Sequence, residues 1–441
     1  MRRGISCAAA AARISRQCKG ALAAALASTA MLLLAGCDLP PGPAFAAIPP
    51  DAQSSAPKPP KEAQPLDAAV ASLTQSLFER AKLDPPGLTG RRALVIDPLI
   101  DHETGSELVA TRSMEERITA VVRERYPQIE PRPFTSASLE DRPLVLAGSI
   151  TTVATAGEVP TSIGGSPKAY RIWAVLADLR SGRIVSHETA WVQPDAVDAT
   201  PTPFFRDSPA WLADPSMVAY LKTCDAKVGD PVPTAYLDGL KVEAAVSDGI
   251  RAYEAGRYQD ALAAYADAQR LPAGNQLRVY NGLYLADQAL GRRQEAEQAF
   301  GQLVEYGLGR GKLAMKLVFR PNSTAFWPDP AISGPYPMWL RQIATRTAPG
   351  EACLRVIGHT SPTGPDQVNQ ALSEARAGVV RARLVRDAPP LGDRTEVRGV
   401  GSSEPLVGTG RDDASDVLDR RVEFDPYACR AEVHADAAPA P

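Results

Sequence analysis

The sequence predicts a multidomain α+β protein, and three observations predict it. At 441 residues the chain has room for about three domains of roughly 150 residues each. In the first and last thirds, apolar runs of strand length alternate with segments whose apolar residues recur at helical spacing. Between them Gly256, Ala261 and Tyr265 recur as Gly291, Ala296 and Phe300, each 35 residues later, the mark of an internal helical repeat. A composition of 44% hydrophobic and 22% charged residues is that of globular domains, not of an acidic disordered chain or a multi-span membrane protein. The net charge of −3 comes without a basic cluster in the body, which argues against a nucleic-acid partner. The 40 prolines gather in connecting segments, so the sequence predicts domains strung on Pro-rich linkers.

Residues 1–36 read as a targeting segment. Arg2, Arg3, Arg13, Arg16 and Lys19 make a positive n-region free of acids, and the apolar run from Ala21 ends at Leu34-Ala35-Gly36-Cys37. This resembles a bacterial lipoprotein signal with its lipobox, in which the thiol of Cys37 takes a diacylglycerol and becomes the mature N-terminus. The resemblance implies a lipid-anchored protein facing the periplasm. Asp38 directly after that cysteine matches an inner-membrane retention signal, while family resemblance favours the outer membrane. Residues 37–65 are Pro- and Ala-rich and read as an extended tether.

A first domain spans 66–200. Val70, Leu73 and Leu77 lie on one helix face, Arg92 to Pro98 reads as a buried strand stopped by proline, and a second helix runs near 112–125. Leu144 to Ile150 is another strand, and Tyr170–Asp178 and Arg183–Val192 flank the turn residues Arg180-Ser181-Gly182 as a hairpin. The order predicts an α+β sandwich with helices on one face of a sheet. The stretch resembles the periplasmic domain shared by CsgG, FlgO, LpoB and the amino-terminal domain of TolB, a fold that hosts different functions. Residues 201–240 form a Pro- and aromatic-rich connector (Phe204, Phe205, Trp211, Tyr220), read either as packing onto a neighbour or as a partner-docking strip. In the repeat at 241–308, the small Ala lets antiparallel helices approach and the aromatic fills the gap between them. "YEAGRYQDALAAYADA" and "LADQALGRRQEAEQAFGQL" resemble tetratricopeptide repeats. Two copies are fewer than a stacked array needs, which predicts a spacer or a small docking face.

The last domain, 314–430, opens with a strand from Leu317 through Ser323, followed by a helix near 337–347, the strand Leu354 to Thr360, a helix to about Leu384 and a final strand at Asp419-Arg420-Arg421-Val422-Glu423-Phe424. Gly358-His359-Thr360, Gly364, Asn369, Leu372-Ser373, Arg376-Ala377 and the terminal Arg-Arg-Val-Glu resemble the OmpA-like carboxy-terminal domain found also in Pal and MotB. That resemblance implies non-covalent binding of peptidoglycan through the diaminopimelate of its stem peptide. A zwitterion needs a guanidinium for its carboxylate and an acceptor for its ammonium. Arg376 matches the family's carboxylate-binding arginine, and Asn369, Arg420 and Arg421 match residues framing the pocket. The acceptor departs: the family's Asp after Gly-His-Thr is Ser361, and its Asn before Arg-Arg-Val-Glu is Asp419. Asp366, in the same loop, is a substitute acid. Cys353 begins the second strand of this domain and Cys429 follows the last, so antiparallel neighbours predict a disulfide between them, leaving Cys224 over. Residues 431–441 read as a disordered tail.

Catalytic readings find no support. The four histidines fall in no HExxH, no GxSxG occurs, and Gly307 to Lys312 lacks the first Walker glycine and the closing Ser/Thr, so it reads as a flexible linker. No Cys/His spacing suits a metal, and no cofactor motif is present. The sequence thus predicts a non-catalytic envelope lipoprotein that tethers or scaffolds membrane and cell wall. The alternative is a module recruiting a peptidoglycan synthase, secretion or flagellar machinery.

Overall fold

The computed structural model describes residues 63–81, 83, 90–153, 168–408, 410 and 415–429. The signal segment, Cys37, the tether up to residue 62 and the tail 431–441 lie outside them. The described residues all belong to one compact unit, Lys58–Pro441.

The first sheet runs in the order β3-β1-β4-β5-β6, with β2 paired to β4. Its elements are α1 (Leu66–Arg80), β1 (Arg92–Ile96), β2 (Ile100–Asp101), α2 (Val109–Arg125), β3 (Ile129–Pro131), α3 (Ser136–Glu140), β4 (Leu144–Val153), β5 (Ala169–Asp178) and β6 (Arg183–Val192). Gly182 supplies the positive φ of +67° that closes the β5–β6 turn. Helices α1 and α2 bury Leu73, Leu77, Met114 and Ile118 against one face, with Leu94, Leu144, Leu146 and Ile172. Contrary to the expected one-sided sandwich, the other face is covered as well. Val145, Ala147, Trp173 and Val175 pack against Tyr220, Cys224, Tyr236 and Leu240. The reason is legible in β4, whose first eight residues are all buried, the continuous pattern of a strand covered on both sides.

The covering elements come from the connector and from the repeat. The connector holds α4 (Pro203–Asp207), β7 (Ala210–Trp211) and α5 (Pro215–Cys224); the repeat forms two helical hairpins, α6 (Thr234–Glu254) with α7 (Tyr258–Arg270) and α8 (Leu277–Ala289) with α9 (Arg293–Gly309). The connector is packed rather than exposed: Phe204 is fully buried and stacks at 5.8 Å on Tyr265, and the Tyr220 hydroxyl accepts from Gly148 N at 3.0 Å. Ala261, Tyr265, Ala296 and Phe300 are all buried, and a Cβ on Gly282 would lie 2.4 Å from the Tyr265 ring. The aromatic thus fills space that only glycine leaves open. Gly307 to Lys312 is not a free linker: α9 continues to Gly309, and a Cβ on Gly307 would meet Leu313 at 2.5 Å.

The last segment holds β8 (Leu313–Lys316), α10 (Pro330–Ser333), α11 (Tyr336–Thr347), β9 (Cys353–Gly358), α12 (Asp366–Asp387), β10 (Thr395–Gly399) and β11 (Arg421–Tyr427). Its sheet has the order β10-β9-β11-β8-β7. The first strand starts four residues earlier than the sequence predicted and stops at Lys316. Beyond it, Phe319 and Phe326 form an isolated bridge. The edge strand β7 comes from the connector, pairing Ala210 with Met315 and Trp211 with Ala314. Helices α8, α9, α11 and α12 share one apolar core with Met315, Leu354, Val356, Val422 and Phe424, so these segments are fused through a core rather than strung on linkers. Cys353 and Cys429 form a disulfide with Cα atoms 5.0 Å apart, and Cys224 is a buried free thiol.

Candidate functional site

The site predicted from sequence lies where β9 ends and α12 begins. Gly358 closes β9 because a Cβ there would meet the Ser373 carbonyl oxygen at 2.1 Å, so the glycine lets α12 press directly onto the sheet. The chain then runs through His359, Thr360 and Ser361, all buried, with Thr360 N donating to Gly401 O at 2.9 Å. Asn369, Ser373 and Arg376 follow at i, i+4 and i+7 of α12, one helix face, and all three are buried. Asn369 Nδ2 donates to Thr363 O at 3.0 Å, and the Ser361 and Thr363 hydroxyls are 3.3 Å apart. Ser373 Oγ accepts from Gly401 N at 2.9 Å.

Arg376, 7% exposed, is pinned at the same place. Its Nε donates to Ser323 O and its Nη2 to Arg320 O, both at 3.0 Å. Its guanidinium carbon also lies 4.9 Å from the centre of the Phe319 ring. It therefore holds the turn following β8, in which Arg320 N bonds Ala325 O at 2.9 Å and Asn322 takes a positive φ of 49°. The structure thus joins Ser361 and Asn369 at Thr363, and places Arg376 two turns along the same helix, against the 320–323 turn. Asp366 stands exposed in the first turn of α12.

Arg421 opens β11. It is 3% exposed, and its Nε bonds Glu423 Oε1 at 2.8 Å while Nη1 and Nη2 donate to Leu418 O and Glu404 O at 3.3 and 3.2 Å. Three of its five N–H groups are thus taken by the chain's own acceptors. Arg420 is half-buried beside it. Asp419 is a fastener too: its carboxylate accepts from the backbone N–H groups of Leu406, Val407 and Gly408 at 2.6, 2.9 and 2.8 Å, locking the β10–β11 loop. Burial nonetheless pushes its pKa up.

Glu423, which the sequence reading did not single out, is the electrostatic centre of this end of the sheet. It is 1% exposed, with Lys312 Nζ at 2.7 Å and His359 Nε2 at 3.4 Å from its second oxygen. Burial works to raise its pKa, but His359, Arg421 and Lys312 outweigh that and hold it well below the usual carboxylate range. Burial pushes His359 down, favouring the neutral imidazole. The signal was present in the Arg-Arg-Val-Glu run, where residues 421 and 423 share one face of a strand.

A second cluster of buried charge joins the first sheet to the helical hairpins. Asp97 Oδ2 accepts from the Tyr236 hydroxyl at 2.6 Å, and Glu115 accepts from Leu99 N at 2.8 Å. Arg112 reaches Glu107 at 2.5 Å and Glu254 at 3.1 Å, and Arg278 pairs with Glu243. Burial, and secondarily the neighbouring Glu243, pushes Asp97 up to about 8; burial and Glu107 push Glu115 up to about 8. Among the described residues no group of three or more His, Cys, Asp or Glu side chains is placed to hold a metal ion, and no helix is long and apolar enough to cross a membrane.

No family model matches the chain. It is 39% identical over 82 residues to outer membrane porin F of Pseudomonas aeruginosa, a match covering 19% of this chain and 21% of that protein. It is 36% identical over 85 residues to outer membrane protein A of Escherichia fergusonii, covering 18% and 35%. The chain therefore spans well under half the length of these relatives. Among solved structures it is similar to the peptidoglycan-associated lipoprotein of Burkholderia pseudomallei (25% identity, TM-score 0.22, 27% of this chain and 93% of that one). A further likeness is to the periplasmic domain of Helicobacter pylori MotB (18% identity, TM-score 0.22, 26% and 75%).

Proposed function

We propose that this chain, which carries an OmpA-like domain, is a non-catalytic envelope protein that grips the diaminopimelate of a peptidoglycan stem peptide through that domain. Arg376 meets the ligand carboxylate; Ser361 and Asn369 meet its polar groups, with Arg420 at the rim. The observation that supports this reading is the shared buried face of Asn369 and Arg376 on α12, with Ser361 joined to Asn369 at Thr363. The Leu-Ala-Gly-Cys run supports acylation at Cys37 and attachment to the outer membrane, with the inner membrane as the alternative because of Asp38. In that arrangement the protein ties membrane to wall.

Pull-down on purified sacculi tests the reading. Wild type should bind, Arg376→Ala should lose binding, and Ser361→Asp should tighten it. A charge-assisted hydrogen bond contributes about 1.5–3 kcal/mol against roughly 0.5–1.5 for a neutral one, a gain of several-fold to tenfold. Because Arg376 also holds the 320–323 turn, the gain-of-function variant separates ligand loss from misfolding. No binding by wild type and none restored by Ser361→Asp overturns the proposal. Acyl labelling that persists in Cys37→Ser overturns the anchor.

A further inference from the structure

A cleft of about 420 Å³ opens between the second helical hairpin and the α10–α11 segment. Pro330, Ala331, Pro335 and Met338 give it an apolar wall, and Arg293 and Glu297 of α9 stand opposite. The charges in it are not balanced. Glu297 Oε1 already accepts from Arg341 and Gln342, both at 2.8 Å, and these bonds hold its carboxyl below the usual range, so its one charge is shared with Arg341 and the cleft, lined by two arginines and one acid, keeps a net positive charge. Arg293 is exposed and has no ion pair among the described residues. On the same short helix as Pro330 and Ala331, Ile332 leaves 40% of its surface in water. An apolar wall beside an uncompensated guanidinium selects a ligand with an acid next to apolar side chains.

We infer that this cleft docks a short segment of a partner protein in which an Asp or Glu is flanked by apolar residues. The acid meets Arg293 and the apolar side chains lie along Pro330, Ala331 and Met338. The volume suits two or three side chains and falls toward the lower end of the roughly 300–1,000 Å³ of ligand pockets, in keeping with recognition of a linear motif. The inference is independent of peptidoglycan binding, because the cleft is lined by the helical hairpin and α10–α11 and by none of Ser361, Asn369 and Arg376.

The test selects from a random peptide library displayed on phage with the full chain as bait, then measures synthetic winners by fluorescence anisotropy. Winners should carry an acid beside apolar residues. Arg293→Glu should weaken them at least tenfold and turn a fresh selection toward basic peptides. Ala331→Arg, at an exposed position that folding tolerates, should block binding, and sacculus pull-down should be unchanged in both variants. Winners without an acid, or affinities that neither variant alters, overturn the inference. So does concentration-dependent dimerisation of the peptide-free chain that Ala331→Arg abolishes, which assigns the cleft to a second copy.

Discussion

The two buried charge clusters use the same side chains to opposite effect. At the end of the second sheet a single carboxylate, Glu423, faces Arg421, Lys312 and His359. At the junction of the first sheet with the hairpins, Asp97, Glu107, Glu115, Glu243 and Glu254 face Arg112 and Arg278. Both sets are withdrawn from water, and desolvation raises every buried carboxyl. Only the local supply of cations decides whether that rise survives. It is overturned at Glu423 and stands at Asp97 and Glu115.

The sharpest way to break the first cluster is Glu423→Ala, which leaves the Arg421 guanidinium buried without its carboxylate. Removing one partner of such a pair costs about 3–5 kcal/mol, and urea unfolding should show a midpoint lowered accordingly. A variant as stable as wild type would mean that Leu418 O and Glu404 O suffice for Arg421.

The clusters should also separate by pH. Glu423 has a depressed pKa, so its contribution is fully present above the ordinary carboxylate range and is lost progressively as the pH falls below that range toward its own, lower pKa. Asp97 and Glu115 have raised pKa values: the folded junction keeps protons that the unfolded chain releases, so stability declines as the pH rises from about 4 to about 8. Asp97→Asn mimics the protonated acid. It should leave stability nearly unchanged at pH 4 and raise it progressively to pH 9, by up to about 6 kcal/mol, on a scale of roughly 1.4 per pKa unit. A parallel downward shift at both pH values would show that Asp97 is ionised in the folded protein.

Smaller effects sharpen the contrast. Tyr236→Phe removes one buried hydrogen bond and should cost about 1 kcal/mol at pH 7. Lys312→Ala should cost less than about 1 kcal/mol, because its amine is half in solvent and screened; a larger loss in thermal unfolding would give it a share equal to that of Arg421.

The sequence made one of these regions much easier to read than the other. The strands and helices of the last segment follow local patterns, and the motif from Gly358 to Arg376 is contiguous, so Asn369 and Arg376 fall on one buried helix face. Little in the sequence sets Glu423 apart from the residues beside it, because burial and ion pairing are properties of neighbours brought from 312 and 359. The junction was illegible for the same reason on a larger scale. Asp97 and Tyr236 are 139 positions apart, and nothing local to either announces the partner. The connector was the intermediate case: its aromatics promised burial, but which sheet faces they would cover was settled only by the doubly buried β4.

The two-residue strand β7 has a bearing on portability. The contiguous motif of the last segment suggests a cassette that could be cut at residue 314 and grafted elsewhere. The second sheet, however, borrows its edge from the connector, and Lys316 Nζ spends its hydrogen bonds on the carbonyls of Phe205 and Arg206 at 2.7 and 2.9 Å. A fragment beginning at 314 would carry an open strand edge, the kind of surface that recruits other chains, and a buried amine stripped of its acceptors. The smallest transferable piece of this protein therefore begins well before the motif does, upstream of Phe205.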